Sequence, residues 1–265
     1  MKKTLLIFLL TLMVLLSFAG CGDDGASSNN GGTPDENGTS GFTFVDTVKD
    51  YDRVDTETAE NFTVSSKKYD YENSNVVLLS VENHGDSNCT VTVDMTYYDA
   101  GGNEITKESQ SFEGFAANWQ KYFLFQPNKT FTSYEYTMTT EEFNGECLGN
   151  KFTFRFDGIK EDRADLGLDE NGTPIGLGKG LTGYMAFRFE YPGLLDLWAN
   201  LIFFDNKGEI YYIDTVGQVG NKPPYIDNYI TPTLVTGTKN SVEWPEELKG
   251  ETTGIVVLKK VEVRP

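Results

Sequence analysis

The chain has little of what metal-dependent or nucleophilic catalysis usually draws on. Of its 265 residues one is histidine and three are cysteine. With His84 and so few thiols, no zinc site of conventional spacing can be written. There is no Gly-x-Ser-x-Gly elbow and no glycine loop ahead of a helix to cradle phosphate. Cations are scarce: 22 Lys and Arg stand against 40 Asp and Glu, a formal charge of −18. Such a surface repels polyanions, which excludes nucleic acid and anionic lipid headgroups as expected partners. No segment carries a sustained helical stripe. The N-terminal apolar stretch, Leu5 to Leu16, is shorter than the roughly 20 residues a membrane-spanning helix needs.

What is present begins with an address. Lys2 and Lys3 precede that apolar stretch, and "LLSFAGCGDD" (Leu15 to Asp24) follows it, with small residues Ala19 and Gly20 ahead of Cys21. A charged start, a short apolar run and small residues read as a signal peptide. The arrangement resembles the bacterial lipobox, with Phe18 where that pattern usually has Leu, Val or Ile. The resemblance implies cleavage after residue 20 and a diacylglycerol on the Cys21 sulfur. Residues 22–41 contain no aliphatic residue larger than alanine and cannot build a core. They read as a flexible tether whose root-mean-square span is roughly 25 Å. The expectation is therefore a signal peptide over 1–20, then a lipidated cysteine and polar tether over 21–41. The protein would sit in the cell envelope, exposed outside the cytoplasm, with the membrane as partner through lipid on Cys21. Two or three acyl chains on one cysteine give stable anchoring.

The rest of the chain alternates. In "CTVTVDMTYYD", Val91, Val93, Met95 and Tyr97 fall on one side and Thr90, Thr92, Asp94 and Thr96 on the other, the period of a half-buried strand. "KFTFRFD" groups Phe152, Phe154 and Phe156, and "YMAFRFEY" groups Met185, Phe187 and Phe189. "SNVVLLSVEN", "WQKYFLFQ", "SYEYTMTT" and "GIVVLKKVEV" are further strand candidates, and one helical turn is expected near Glu141 to Phe143 or at "WPEELKG". Turn chemistry falls between strands at "DAGGNE" and "DNKGE". These turns belong to an internal repeat, in which "MTYYDAGGNEI" (Met95 to Ile105) aligns with "LIFFDNKGEI" (Leu201 to Ile210) after one gap, matching Tyr97 to Phe203 and Asp99 to Asp205.

The region from about Val76 to Thr140 resembles the FxLYD-type domains of bacterial lipoproteins. The matching features are "VENHGD", "VTVDMTYYDAGGNEI", the polar break "FAANWQ" and the strand "KYFLF". Tyr98 and Asp99 keep the Tyr-Asp pair, while Met95 and Tyr97 stand for the motif's Phe and Leu. In the second copy Asp205 remains and Phe204 replaces the tyrosine. The resemblance implies immunoglobulin-like β-sandwiches and no catalytic residues. The expected fold is thus all-β, two tandem sandwiches over 42–149 and 150–265, although "KFTFRFDGIKED" could instead close the first sheet.

Candidate sites are few. Cys89 and Cys147 either pair, as thiols outside the cytoplasm do, or stand as small buried hydrophobes. In the acidic stretch Asp157 to Gly172, "GLDENG" approaches a calcium loop, but Gly167 holds the first-ligand place and Gly178 that of the closing glutamate. A looser calcium site on Asp162, Asp165, Asp169 and Asn171 stays open beside a solvated acidic connector. Aromatic rings offer a flat apolar face with a polar rim. Tyr225 and Tyr229, near two prolines, are the leading contacts for a glycan or envelope protein, with Trp119 and Trp244 behind them. His84, in "ENHGD", reads as a turn residue. The function expected is a non-catalytic surface binding module for a glycan, wall polymer or protein, with no cofactor apart from that calcium option. The alternatives are an assembly protein pairing through sheet edges and an enzyme with a carboxylate pair.

Overall fold

The alternating segments become strands, all antiparallel to their partners. The computed structural model describes residues 46–48, 55–59, 61–220 and 228–264. The first part of the chain supplies β1 (Asp46–Val48), β2 (Asp55–Ala59), β3 (Phe62–Tyr71) and β4 (Ser74–Asn83). Then come β5 (Cys89–Tyr98), β6 (Glu104–Phe115), β7 (Trp119–Phe125) and β8 (Ser133–Glu142). The second part supplies β9 (Phe152–Asp165), β10 (Leu177–Phe189), β11 (Leu195–Phe204) and β12 (Ile210–Gly220). It ends with β13 (Asn228–Ile230), β14 (Thr233–Thr236) and β15 (Thr253–Val263). Among the described residues there is no α-helix, only single 3-10 turns at Gly149–Lys151 and Glu246–Leu248, the second directly after Pro245. The signal-peptide and tether expectations, Cys21 and Tyr225 lie outside the described residues.

Four sheets result. Sheet I runs β1-β8-β5-β6 and sheet II β2-β3-β4-β7. Sheet III runs β12-β11-β15, and sheet IV is centred on β10, flanked on one side by β9 and on the other by β13 and β14. "KFTFRFDGIKED" is β9 and pairs with β10, so it does not close sheet I. The strand orders of the two halves match. In each, a hairpin and a later strand form one sheet: β3-β4-β7 in the first half, β9-β10-β14 in the second. The next hairpin takes a still later strand on its other side: β8-β5-β6, and β15-β11-β12. Even the ladder irregularity recurs, between Tyr97 and Tyr98 and between Phe203 and Phe204. The repeat seen as one hairpin in the sequence therefore extends to a whole sandwich topology.

The repeated turn has a simple cause. One carboxylate oxygen of Asp99 accepts the N–H groups of Gly101 and Asn103 at 2.8 and 2.9 Å, and Asp205 does the same for Lys207 and Glu209. Gly102 and Gly208 follow at φ +79° and +82°, a left-handed conformation that costs glycine nothing. Asp169 makes a third copy, capping Asn171 and Thr173 with Gly172 at φ +77°.

Apolar side chains fill the gaps between layers. Val91, Val93, Met95 and Tyr97 are fully buried, as their spacing implies, against Val64, Val77, Leu79 and Phe123 of sheet II. The same cluster takes in Phe152, Phe187, Phe189, Leu195 and Leu197 between sheets III and IV, and Met185, Leu201 and Phe203 complete that second filling. A separate cluster joins the sandwiches: Tyr69, Val76, Leu78 and Leu124 of sheet II meet Ile202, Phe204 and Val257 of sheet III. The two middle sheets are thus covered on both faces. Lys67 pairs with Glu209 at 3.3 Å at this junction, and the Ile213 N–H donates to the Tyr71 hydroxyl at 3.1 Å.

Sheets III and IV approach closely at Gly183, where an added Cβ would stand 2.3 Å from the Phe203 ring. Phe203 is fully buried and cannot swing aside. Gly183→Val should therefore cost about 3 kcal/mol in a urea melt, and Phe203→Leu in the same chain should recover part of the loss. An unchanged midpoint would mean that the two layers separate freely.

Candidate ligand-binding face

The outer face of sheet IV is built by a fault in the ladder. Along β10 the odd positions Leu181, Gly183, Met185, Phe187 and Phe189 point inward, leaving Thr182, Tyr184, Ala186 and Arg188 on the outer side. On β9, Phe152, Phe154 and Phe156 pair with Phe189, Phe187 and Met185, so Arg155 and Asp157 face outward. Beyond them the register slips by one residue around Gly158, which has φ +92°. Such a bulge reverses the parity of the residues after it. Ile159 and Glu161 now pair with inward Gly183 and Leu181, and Lys160 and Asp162 join Arg155 and Asp157 outside. On the opposite side of β10, Tyr229 pairs with Ala186 and so shares this face.

The side chains interlock. The Tyr184 and Tyr229 rings lie 6.1 Å apart at 76°, edge to face, and Tyr229 is 46% exposed. The Tyr184 hydroxyl donates to Asp162, and the Tyr229 hydroxyl to Asp157. Arg155 grips both oxygens of Asp157, at 2.5 and 3.1 Å. The Lys160 ammonium stands 4.8 Å from the centre of the Tyr184 ring. The Arg155 hydrogen bonds, then that of Tyr229, hold the Asp157 carboxyl below the usual range, and the Tyr184 hydroxyl does the same for Asp162. That bond raises Tyr184 in return. The face therefore presents two carboxylates, two cations and two phenols, each already oriented by a neighbour.

The other sequence candidates are dispersed. Asp165 caps the Gly167 N–H at 3.0 Å, and Asp169 and Asn171 form the third of the Asp-capped hairpin turns. Asp162 and Asp165 lie three residues apart on one strand, hence on opposite faces and about 10 Å apart. The four do not converge as one ligand set, and among the described residues no three His, Cys, Asp or Glu side chains are grouped to hold a metal. Trp119 is half-buried against Phe112 and Phe115, with ring centres at 5.7 and 5.1 Å. It lines a cleft of about 260 Å³ between β7, β9 and β15, with Tyr122, Phe154, Phe156 and Val256. Trp244 is half-buried just ahead of the turn that buries Leu248. Cys89 and Cys147 are buried free thiols, and burial, then the neighbouring Cys147, pushes the Cys89 pKa up to about 11. His84 is an exposed loop residue whose Nε2 meets the Thr63 hydroxyl at 2.8 Å.

Tyr184, Asp157, Arg155 and Lys160 were not among the sequence candidates. Tyr184 had a usable signal, since an inward Met185 and Phe187 put it outside. Lys160 had none, because period-two counting carried past Gly158 assigns it to the wrong face.

No family model matches the chain, and no curated protein is similar to it. Among solved structures it is similar to a β-glucuronidase from an uncultured Clostridium sp., at 8% identity over 71% of this chain and 46% of that one, with a TM-score of 0.11. The chain thus spans less than half of that protein, and a likeness this weak carries no argument.

Proposed function

We propose that the protein is a non-catalytic binding module held at the cell envelope by lipid on Cys21, and that the Tyr184–Tyr229 face meets its ligand. The observation that carries this reading is an exposed aromatic pair whose polar rim is fixed by internal hydrogen bonds. Side chains ordered before a ligand arrives lose less entropy when it binds. Two stacked sandwiches provide a stiff platform for such a face. The immunoglobulin-like, FxLYD-type assignment belongs to the same reading and draws on the shared strand order and the Asp-capped turns of both halves.

Anchor and face are separable. Cys21→Ala should release the protein from membranes yet leave it on whole envelopes, and adding Tyr184→Ala and Tyr229→Ala should free it from both. Retention of the triple variant on envelopes would place the binding surface elsewhere.

One observation favours assembly as a second reading. The hairpin arm joining β9 to β10 leaves Leu168, Ile175 and Leu177 at 63%, 37% and 56% exposure, beyond what isolated surface residues need. Sedimentation at rising concentration tests it: self-association abolished by Leu168→Ser and Leu177→Ser would make the arm a contact between copies.

A further inference from the structure

Resting on the reading that this face binds, we infer that its ligand is an electrically neutral glycan. The apolar part of the surface is a half-exposed Tyr229 ring held edge to face by Tyr184, with Ala186, only 4% exposed, as the floor between them. A pyranose presents a flat patch of C–H groups bordered by hydroxyls, the complement of a ring with a polar rim. Because both phenol oxygens are engaged by Asp157 and Asp162, the rings are held by their edges.

The rim decides the charge of the ligand. Arg155 and Lys160 offset Asp157 and Asp162, so the four formal charges held against the two tyrosines cancel, with Arg188 one outward position further along β10 past Ala186, on a chain that carries −18 in total. A polyanion would meet two fixed carboxylates and the repulsion of the whole molecule. A cation would find both carboxylates already neutralised or hydrogen-bonded. A hydroxyl donates and accepts at once, so it can use the remaining lone pairs of an ionised carboxylate and a lysine N–H in the same site. The row Tyr229–Ala186–Arg155 crosses three strands, about 10 Å, enough to engage a chain rather than a single small group.

The test is gel retardation and calorimetry of the full-length chain in mild detergent. The neutral probes are soluble β-glucan, xylan and mannan, and the anionic ones polygalacturonate and poly(glycerol phosphate). Retardation by at least one neutral polymer is expected, nearly constant between about 50 and about 500 mM salt because no net charge is exchanged. Tyr229→Ala should weaken it at least tenfold and Tyr229→Phe much less, with unchanged circular dichroism in both. Binding of anionic polymers alone, lost in salt and on Arg155→Gln with Lys160→Gln, would overturn the neutral class while leaving the face as the site. Neutral binding that survives Tyr184→Ala with Tyr229→Ala would overturn the face. No binding to any probe would overturn the glycan assignment.

Discussion

Phe204→Asp is expected to break the protein's unfolding into two transitions. Phe204 is 6% exposed, and its ring lies 5.9 Å from that of Tyr69 across the junction of sheets II and III. In the wild type this junction is apolar on both sides, with Val76, Leu78 and Leu124 facing Ile202 and Val257. Domains in one chain usually move independently unless their interface is large and hydrophobic, and here the middle sheets owe one of their two buried faces to each other. A single cooperative melt is therefore expected of the wild type. The aspartate removes a large ring and buries an unpaired carboxylate, together costing about 4 kcal/mol or more. Because the loss falls on the junction, calorimetry should show two peaks, and a hydrophobic dye should bind the uncovered face of sheet II. One peak at the wild-type temperature would mean that the sandwiches are not energetically coupled.

Lys121→Met should raise stability by about 1–4 kcal/mol at pH 7, a large gain for one substitution. Lys121 is 5% exposed and points into the first sandwich, 3.6 Å from the Phe123 ring centre and 4.7 Å from that of Phe112. Its ammonium donates to the Tyr122 carbonyl at 2.9 Å, and among the described residues no carboxylate pairs with it. Burial holds its pKa well below 10.5. Lys68, 3% exposed and donating to the Phe131 carbonyl, is pushed down to about 8 by burial, with Asp70 opposing.

Both lysines keep their protons in the unfolded chain to about pH 10.5 and lose them earlier when folded. Between about pH 7 and about pH 9 the unfolded state therefore binds more protons, and stability rises with pH. Above about pH 9 the sign reverses. Cys89, pushed up to about 11 by burial, Tyr69, pushed up to about 12, the buried Tyr97 and the half-buried Tyr122 stay protonated in the fold while their unfolded counterparts ionise. Stability should peak near about pH 9 in chemical melts. Lys121→Met with Lys68→Met should flatten the rise and spare the fall. A wild-type curve flat from about pH 7 to about pH 9 would rule out buried, costly ammonium groups.

Much of the fold could be read from side-chain chemistry along the chain. Strict alternation in "TVTVDMTY" specifies a strand with one buried face, since any other register exposes Val91, Val93, Met95 and Tyr97 together. An aspartate four residues before the end of a turn, with glycine one residue short of that end, specifies the same hairpin twice, at Asp99 and Asp205. These are local constraints, satisfied within a few residues, so they needed no tertiary context. "VVLL" at Val76 to Leu79 and "LIFF" at Leu201 to Phe204 carried a further signal, for continuous apolar runs mark strands covered on both faces. They could not say what covers them, and only the fold put sheet II on sheet III.

The candidate site divides in the same way. Tyr229 was recognisable as an aromatic in a proline-bordered segment, and Tyr184 by its parity. Its partners were decided by a single extra residue near Gly158, which reverses the facing of everything after it on β9. The sequence by itself determined which residues alternate and where the chain turns, because those depend on neighbours in the chain. Only the tertiary structure decided which alternating faces meet and which charges reach the tyrosines, because these depend on strand register between residues far apart in the chain.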